Sequence, residues 1–135
     1  MRIVDDCKLL QADEWKAIGV KLYGKSAKDW KFVCPNCGNI QSAQDFIALK
    51  EAGIIPETFD IAKYFHFSCI GRYDTRIKKV GTMSDPTSPC DYTNGGLFCI
   101  AKVRVEIFNP DDCASVFVWV FDFADDYSEL VTLEG

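Results

Sequence analysis

The residues with the clearest chemical potential are the cysteines, of which the chain has seven. Two of them lie in the stretch Cys34-Pro35-Asn36-Cys37-Gly38, where two thiolates flank a tight turn and can bind one metal ion. Pro35 fixes φ and offers no competing N–H donor, while Gly38 permits a sharp exit from the turn. This spacing predicts a zinc knuckle, that is, a Cys-x-x-Cys turn that supplies two ligands to a zinc ion.

A thiol–disulfide redox pair is the alternative interpretation of Cys-x-x-Cys. The redox motif usually opens a helix after a strand of a βαβ unit. Here Gly38-Asn39-Ile40 follows the second cysteine, and the helix signal begins only at Ser42. The sequence therefore favours metal binding over redox chemistry at this turn.

A closed structural zinc site requires four ligands, so the knuckle needs two more. Cys69 comes just before Gly71, and Cys90 precedes the turn signal Asn94-Gly95. A cysteine at the junction of a strand and a turn can project into a shared site, which makes these two the best candidates. The predicted ligand set of one structural zinc ion is Cys34, Cys37, Cys69 and Cys90. Iron held by four thiolates is the alternative.

The remaining cysteines and the single histidine have simpler interpretations. Cys99 is the competing candidate ligand, but it lies in an alternating apolar segment, where a buried core thiol is expected. Cys7 and Cys113 lie near the N-terminus and a turn, and we expect free thiols there. His66 lies three positions before Cys69 on a predicted strand, so the two side chains should face opposite sides and not reach one metal ion.

Nothing in the sequence argues for catalysis. A single histidine leaves little room for acid–base chemistry, and there is no Ser-His-Asp arrangement or phosphate-binding glycine loop. A zinc ion closed by four cysteines has no open position for water, so it would be structural. We therefore expect the protein not to be an enzyme.

Charge is divided unevenly along the chain. Residues 1–104 carry all 15 Lys and Arg residues and 12 acidic ones, whereas residues 105–135 carry only acidic charges. The acidic flank, at about 122–135, is either a solvated end that keeps an aromatic strand soluble or a surface for a basic partner. The candidate partner-binding residues are Asp122, Asp125, Asp126 and Glu129.

Four basic residues within eight positions form an alternative candidate site, a phosphate-binding patch for nucleic acid. They are Arg72, Arg76, Lys78 and Lys79. Aromatic residues nearby, which could stack on bases, are Tyr64, Phe65, Phe67 and Tyr73. The net charge of −5 disfavours generic binding to nucleic acid or anionic membranes, and a solvated loop is the simpler interpretation of the patch.

Two helices are expected in the N-terminal half. Apolar residues at helical spacing predict the first at 12–23, and Ser42 as N-cap predicts the second at 43–52. The segment 57–62 could add a helical turn. These helices bracket the knuckle in sequence.

Strands are expected around and after the knuckle. Residues 30–33 and 64–69 are predicted strands, the second because its apolar residues alternate with period two. The segments 97–108 and 115–123 are predicted to follow, joined by a turn at 109–112. The expected fold class is α+β, with two N-terminal helices and the zinc knuckle packed on a C-terminal antiparallel β meander.

The chain has 135 residues, of which 48% are hydrophobic and 26% charged, which is typical of a globular protein. This length predicts a single zinc-stabilised domain over 1–135. No signal peptide is recognisable, and the longest strongly apolar run, Val116–Phe121, is too short to cross a bilayer. A cytoplasmic location is therefore expected. An odd number of cysteines without an export signal agrees with metal binding rather than a disulfide framework.

Three segments of the chain, in order, resemble a family of small bacteriophage and prophage proteins without an assigned activity. They are WKFVCPNCG at 30–38, FSCIGRY at 67–73 and PCDYTNGGLF at 89–98. The resemblance covers roughly residues 13–98. It implies the same four ligands that the spacing suggests, and Cys99 does not match a cysteine of the pattern. It also implies the cytoplasm of an infected bacterial host as the location.

Small acidic accessory proteins of phages often bind and block host proteins. The phage setting and the charge therefore suggest a non-enzymatic, zinc-binding interaction protein that inhibits a host or anti-phage defence complex, as anti-CRISPR and other anti-defence proteins do. A zinc-ribbon-like nucleic-acid-binding protein is the alternative, and an enzyme of unknown class is the second alternative. An aromatic-rich strand ending at Phe123 is also a candidate edge for homodimerisation.

Overall fold

The computed structural model describes residues 2–4, 6–74, 90, 92–94 and 100–130. Within them the protein is α+β, as predicted, with strands in two sheets. The strands are β1 (Arg2–Val4), β2 (Cys7–Gln11), β3 (Phe32–Val33), β4 (Ile40–Gln41), β5 (Val103–Asn109), β6 (Ala114–Val120) and β7 (Asp122–Phe123). The α-helices are α1 (Ala12–Tyr23), α2 (Ala43–Glu51) and α3 (Ile61–Tyr64). Short 3-10 helices lie at Ala27–Asp29, Ile70–Arg72 and Ser128–Leu130.

The first sheet has the strand order β1-β2-β5-β6. β5 and β6 form an antiparallel hairpin whose register runs from Val103 opposite Val120 to Asn109 opposite Ala114. The other neighbour of β5 is β2, which runs parallel to it, and β1 pairs antiparallel with β2. The sheet is therefore mixed, and it contains N-terminal as well as C-terminal strands.

The expected C-terminal meander is thus only partly correct, because β1 and β2 lie outside it. Their sequence lacks the period-two alternation by which strands are recognised. Leu10 is nevertheless fully buried, and β2 takes its conformation from pairing with β5 in the register Leu10 opposite Val105. Long-range pairing of this kind is not visible in a local pattern.

The second sheet has β3 at its centre, antiparallel to both β4 and β7. Phe32 of β3 is fully buried and lies opposite Gln41 on one side and Phe123 on the other. The predicted strand at 115–123 is divided at Phe121, whose backbone N–H donates to the carbonyl oxygen of His66 at 2.7 Å. The chain therefore leaves the first sheet after β6 and enters the second as β7.

The two main helices begin where the sequence predicts. Helix α1 occupies Ala12–Tyr23, and α2 ends at Glu51, one residue before the predicted end. The Ser42 backbone N–H donates to the Asp45 carboxylate at 2.9 Å, as part of a capping box at the start of α2. Gly19 lies against the indole of Trp30 so closely that a Cβ there would come within 2.6 Å of the ring. No helix among the described residues is long and apolar enough to cross a membrane.

The strand predicted at 64–69 is wrong. Asp60 caps helix α3 by accepting a hydrogen bond from the Lys63 backbone N–H, and a turn follows the helix. The segment reaches a strand-like contact only at Ser68, in a single bridge with Thr93. Of its aromatic residues, Phe65 is buried in the core, and it is placed there by a helical turn rather than by a sheet. The possible helical turn at 57–62 corresponds in part to α3.

Candidate metal centre

Three separate segments bring four cysteine side chains together. Cys34 and Cys37 lie in the turn between β3 and β4, where the Gly38 N–H donates to the Cys34 carbonyl oxygen at 2.9 Å. Gly38 has φ +77°, a left-handed conformation that glycine adopts without strain. Cys69 is the N-cap residue of the 3-10 helix Ile70–Arg72, and Cys90 supplies the fourth thiol.

The four sulfur atoms have the spacing of a tetrahedral metal site. All lie within 4.8 Å of one another, with 3.9 Å between the Cys34 and Cys90 sulfurs and 3.7 Å between those of Cys37 and Cys69. Ligands about 2.3 Å from a tetrahedral zinc ion place their sulfur atoms about 3.8 Å apart. The four side chains are also buried, each with at most 6% of its surface exposed. The cluster can therefore hold a metal ion, and thiolates suit a soft or borderline ion such as zinc.

N–H groups surround the sulfur atoms. The Asn39 backbone N–H donates to the sulfur of Cys37 at 3.5 Å, and the Gly71 N–H donates to that of Cys69 at 3.4 Å. The Asn36 side-chain amide donates to the Cys90 sulfur at 3.2 Å. Such donors stabilise negative charge on sulfur. Four thiolates carry more negative charge than a divalent ion neutralises, so the N–H groups stabilise the remaining charge of the metal-bound cluster.

The four thiols differ in acidity because they share a small buried volume. The pKa of Cys34 is lowered to about 5, since the Cys69 thiol donates to its sulfur and N–H groups of the knuckle reinforce the effect. Burial raises the pKa of Cys37 to about 11. Hydrogen bonding to Cys34 together with burial raises the pKa of Cys69 far above its ordinary value. Metal binding must therefore displace protons from the cluster.

A buried glutamine holds the Cys69 segment against the second sheet. The Gln41 side-chain amide donates to the carbonyl oxygens of Phe65 at 2.8 Å and Ser68 at 2.7 Å. Its carbonyl oxygen accepts from the Ile70 backbone N–H at 2.8 Å. Gln41 is 1% exposed, and sequence reasoning missed it because a polar residue in a short strand gives no sign of burial.

The segments of Cys69 and Cys90 are also joined directly. The Cys69 N–H donates to the Tyr92 carbonyl oxygen at 2.9 Å, and the Ser68 and Thr93 hydroxyl groups are 2.6 Å apart. A Cβ at Gly71 would come within 2.5 Å of the Cys90 carbonyl oxygen, so only glycine permits this approach. The position of Gly71 two residues after Cys69 is the signal that could have predicted this close contact.

His66 lies outside the group of clustered sulfur atoms. Its ring is half-buried among aromatic side chains, with centroid distances of 6.0 Å to Trp15 and 5.2 Å to Phe65. The Nδ1 atom is buried and has no hydrogen-bond partner in the described part of the chain. Burial lowers the pKa of His66 to about 4, so the ring is neutral at pH 7. The residue lies in a turn rather than on the predicted strand.

Cys7 and Cys113, the other two cysteines that the structure describes, do not join the cluster. Cys7 lies on β2 and is half-buried, whereas Cys113 is exposed in the turn of the β5–β6 hairpin. Cys99 lies outside the described residues. Of the basic patch, Arg72 is exposed in the 3-10 helix after Cys69, and the remaining predicted residues, Arg76, Lys78 and Lys79, also lie outside the described part.

The acidic flank contains two kinds of carboxylate. Asp122 is half-buried in β7, where it forms an ion pair with Lys8 at 2.7 Å and accepts from the Tyr127 hydroxyl at 2.6 Å. Asp125 is exposed and accepts a 2.8 Å hydrogen bond from the Tyr23 hydroxyl. The other two candidate residues of the flank, Asp126 and Glu129, are exposed. The Asp122 carboxylate is therefore engaged within the molecule by both Lys8 and Tyr127.

The fold and the cluster together define an α+β protein with a buried four-cysteine centre that can bind a metal ion. The chain belongs to the VVA0879-like family, whose model matches residues 11–123. The matched region includes all four clustered cysteines and β3 to β7. Comparison with curated proteins and with solved structures finds no match.

Proposed function

We propose that this protein is a zinc-stabilised, non-enzymatic interaction protein of a bacteriophage or prophage that inhibits a host or anti-phage defence complex, as anti-CRISPR proteins do. The observation that carries the zinc part of the proposal is the buried cluster of Cys34, Cys37, Cys69 and Cys90. The phage setting comes from the sequence resemblance, and the acidic flank suggests how a partner is recognised.

A structural role for zinc follows from the number and placement of the thiols. Four thiolates complete a tetrahedral shell, so no position is left for a water molecule or a substrate. The ligands come from the knuckle, from the Cys69 turn and from Cys90, which are far apart in sequence. One ion then cross-links these segments, and a structural zinc site can contribute about 10 kcal/mol or more to folding.

Metal content per chain tests the zinc part of the proposal. We expect about one zinc per chain by elemental analysis in the wild type and in Cys113→Ser, which alters an exposed cysteine outside the cluster. Cys69→Ser should lose the zinc and its cooperative unfolding transition, because one of four buried ligands is removed. A folded wild type that carries no metal, or one that carries iron, would contradict a zinc centre.

The exposed part of the acidic flank supports a surface for a basic partner. Asp125, Asp126 and Glu129 are exposed within five residues, and no basic residue lies between positions 105 and 135. A dense patch of one sign steers a partner of opposite charge and raises the association rate. Asp122 is left out of this surface because its charge is paired with Lys8.

A charge-reversal pair with a matched control tests the surface. Asp126→Lys combined with Glu129→Lys reverses two exposed charges, and Glu51→Lys with Glu57→Lys makes the same change in net charge on and after α2. The proteins are produced in bacteria with a defined defence system, and the plating efficiency of a sensitive phage is measured. We expect wild type and control to restore plating and the flank variant to fail while remaining folded.

The same variants show whether any inhibition acts through direct binding. The defence component that co-purifies with the wild type is purified alone, and its dissociation constant is measured by calorimetry at two salt concentrations. A surface of exposed carboxylates predicts that binding weakens as the salt concentration rises. It also predicts that the flank variant binds more weakly than the wild type. Equal binding by wild type and flank variant would exclude Asp126 and Glu129 from the interface.

A further inference from the structure

The end of the β5–β6 hairpin is apolar on both faces. Among the residues that the structure describes, four of the ten exposed large hydrophobic side chains lie here. They are Ile107 at 47% exposure, Phe108 at 58%, Val116 at 60% and Phe117 at 47%. Ile107 and Val116 are cross-strand partners on one face, whereas Phe108 and Phe117 lie on the other. Concentrations of exposed apolar side chains of this kind mark interaction sites.

Among the residues that the structure describes, β6 pairs only with β5, so the hairpin supplies an edge of the first sheet. The backbone groups of successive residues in a strand point to alternate sides. The Lys8 N–H donates to the Lys102 carbonyl oxygen at 2.7 Å. The backbone N–H and C=O groups of the even-numbered residues of β5 therefore point towards β2, and those of the odd-numbered residues point towards β6. In the antiparallel register with Val103 opposite Val120, the even-numbered residues of β6 therefore point towards β5.

The odd-numbered residues of β6 consequently direct their N–H and C=O groups to the outer edge. Two contacts agree with this assignment. The Asn94 side-chain amide donates to the Trp119 carbonyl oxygen at 3.0 Å. The backbone N–H of Phe121, just beyond the strand, donates to the His66 carbonyl oxygen at 2.7 Å. Within the described residues no such contact covers the outer backbone groups of Ser115 and Phe117. The open part of the edge therefore coincides with the exposed apolar end of the hairpin.

An open strand edge is a template for pairing with another extended strand, and β6 itself has suitable chemistry. Its sequence, Ala-Ser-Val-Phe-Val-Trp-Val, has no charged residue, so two copies can meet without repulsion within the strand pair. Antiparallel pairing about a two-fold axis at Val116 places Ser115 of each copy opposite Phe117 of the other. Both residues direct their backbone groups outward, so this register joins the open groups of the two edges.

The acidic residues near the hairpin do not oppose this arrangement. Asp112 lies four residues from Val116, and antiparallel pairing sends the two hairpin turns to opposite ends of the joined strands. At about 3.4 Å per residue, the two Asp112 residues would be about 27 Å apart, well beyond a Debye length of about 8 Å. Glu106 on β5 is engaged by the Gln11 side-chain amide at 2.6 Å.

We propose that a second copy of this chain pairs with the outer edge of β6, in an antiparallel homodimer whose two-fold axis passes beside Val116. The two four-stranded sheets become one continuous sheet, and the exposed side chains of the hairpin end meet their symmetry mates. The partner of this edge is thus a copy of the protein itself, whereas the acidic flank remains available for a different partner.

Analytical ultracentrifugation of the full-length, metal-loaded protein over a range of concentrations tests the dimer. We expect a reversible monomer–dimer equilibrium for the wild type. Val116→Lys places two like charges directly opposite each other at the axis, so its dissociation constant should rise by at least about tenfold. The matched control Ile54→Lys introduces the same charge at an exposed apolar position after α2 and should dimerise like the wild type.

The position of the axis is tested by mixing two variants. Val116→Lys and Val116→Glu should each be mainly monomeric, and their equimolar mixture should recover dimer, because Lys then faces Glu across the axis. Failure of the mixture to recover dimer would overturn this axis, as would a Val116→Lys protein that dimerises normally. A wild type that stays monomeric at every concentration would overturn the dimer itself.

A measurement on the wild type alone keeps the test independent of how the variants fold. In the dimer, the outward N–H groups of Ser115 and Phe117 become hydrogen-bonded. Their hydrogen exchange should therefore slow as the protein concentration rises. The N–H groups of Val116 and Val118 point towards β5 and should change much less. Concentration-independent exchange at Ser115 and Phe117 would overturn the proposed pairing.

Discussion

The half-buried histidine, His66, predicts an acid-sensitive stability that one substitution should remove. His66 is surrounded by aromatic rings, and its Nδ1 atom has no hydrogen-bond partner among the described residues. Protonation would place a charge in this apolar environment, which is why burial lowers the pKa to about 4. Replacing the ring with a non-titrating side chain should therefore flatten the dependence of stability on pH.

The sign and size of the pH effect on the free energy of unfolding follow from the pKa of His66 in the unfolded chain and in the folded protein. In the unfolded chain His66 takes up a proton at its ordinary pKa of 6.5, whereas in the folded protein it does so near 4. Between these values the unfolded state binds more protons, so the free energy of unfolding falls as the pH falls. The loss is about 1.4 kcal/mol between pH 8 and pH 5.5, and about 3 kcal/mol once the pH is well below 4.

Urea denaturation of the metal-loaded protein between pH 8 and pH 5.5 measures this effect. Trp15 and Trp30 lie in the same aromatic cluster, with ring centroids 5.5 Å apart, so tryptophan fluorescence reports unfolding there. His66→Phe fills the apolar space, and His66→Gln retains a polar side chain without a titrating group. Both variants should lose about 1.4 kcal/mol less than the wild type over this pH range.

The comparison separates histidine titration from acid release of metal, because the wild type and both variants retain the same four cysteines. If release of the metal ion alone causes the pH dependence, the free energy of unfolding of all three proteins falls in parallel as the pH falls. Equal pH dependence in the wild type and in His66→Phe would therefore refute the reasoning that His66 is buried in its neutral form. A difference of opposite sign would show that the folded protein binds the protonated ring more strongly.

Three further predictions concern the support of the cysteine cluster. Gln41→Leu should lower the free energy of unfolding by at least about 3 kcal/mol in urea denaturation, because three buried backbone groups lose their partner; an unchanged midpoint would contradict this role. Gly71→Ala should weaken zinc binding in a chelator competition, since its Cβ would press on the Cys90 carbonyl oxygen. Asn36→Ala should weaken zinc binding about 10- to 100-fold by removing the donor to the Cys90 sulfur, and unchanged affinity would exclude this contribution.

The local elements were predictable where a local cause determines them. The start of α1 and of α2 follows from side chains within the first turn, as in the bond between Ser42 and Asp45. The candidate ligands were predictable too, because cysteine spacing and chain turns limit which thiols can meet. The structure brings the four predicted ligands together in one buried cluster.

The failures concern the conformation of residues 64–69 and the burial of Gln41, and the local sequence pattern determines neither. Residues 64–69 alternate like a strand, yet the Phe65 N–H bonds back to the Ile61 carbonyl oxygen at 3.0 Å and closes a helical turn. Gln41 looks like a surface residue, yet it satisfies three backbone groups at once in the core. The contact of Phe65 is local, and apolar alternation does not reveal it, whereas the three partners of Gln41 come together only after the chain has folded.

The candidate metal centre and the open edge of β6 are connected through the same few residues. The segment that carries Cys69 also supplies the His66 carbonyl oxygen that binds the Phe121 N–H. The segment after Cys90 supplies Asn94, whose side chain binds the Trp119 carbonyl oxygen. A metal ion that fixes both segments therefore also fixes the end of the edge at Trp119 and Phe121, whereas within the described residues the outer backbone groups of Ser115 and Phe117 stay open to pairing. Metal loading would in this way restrict which part of β6 another strand can reach.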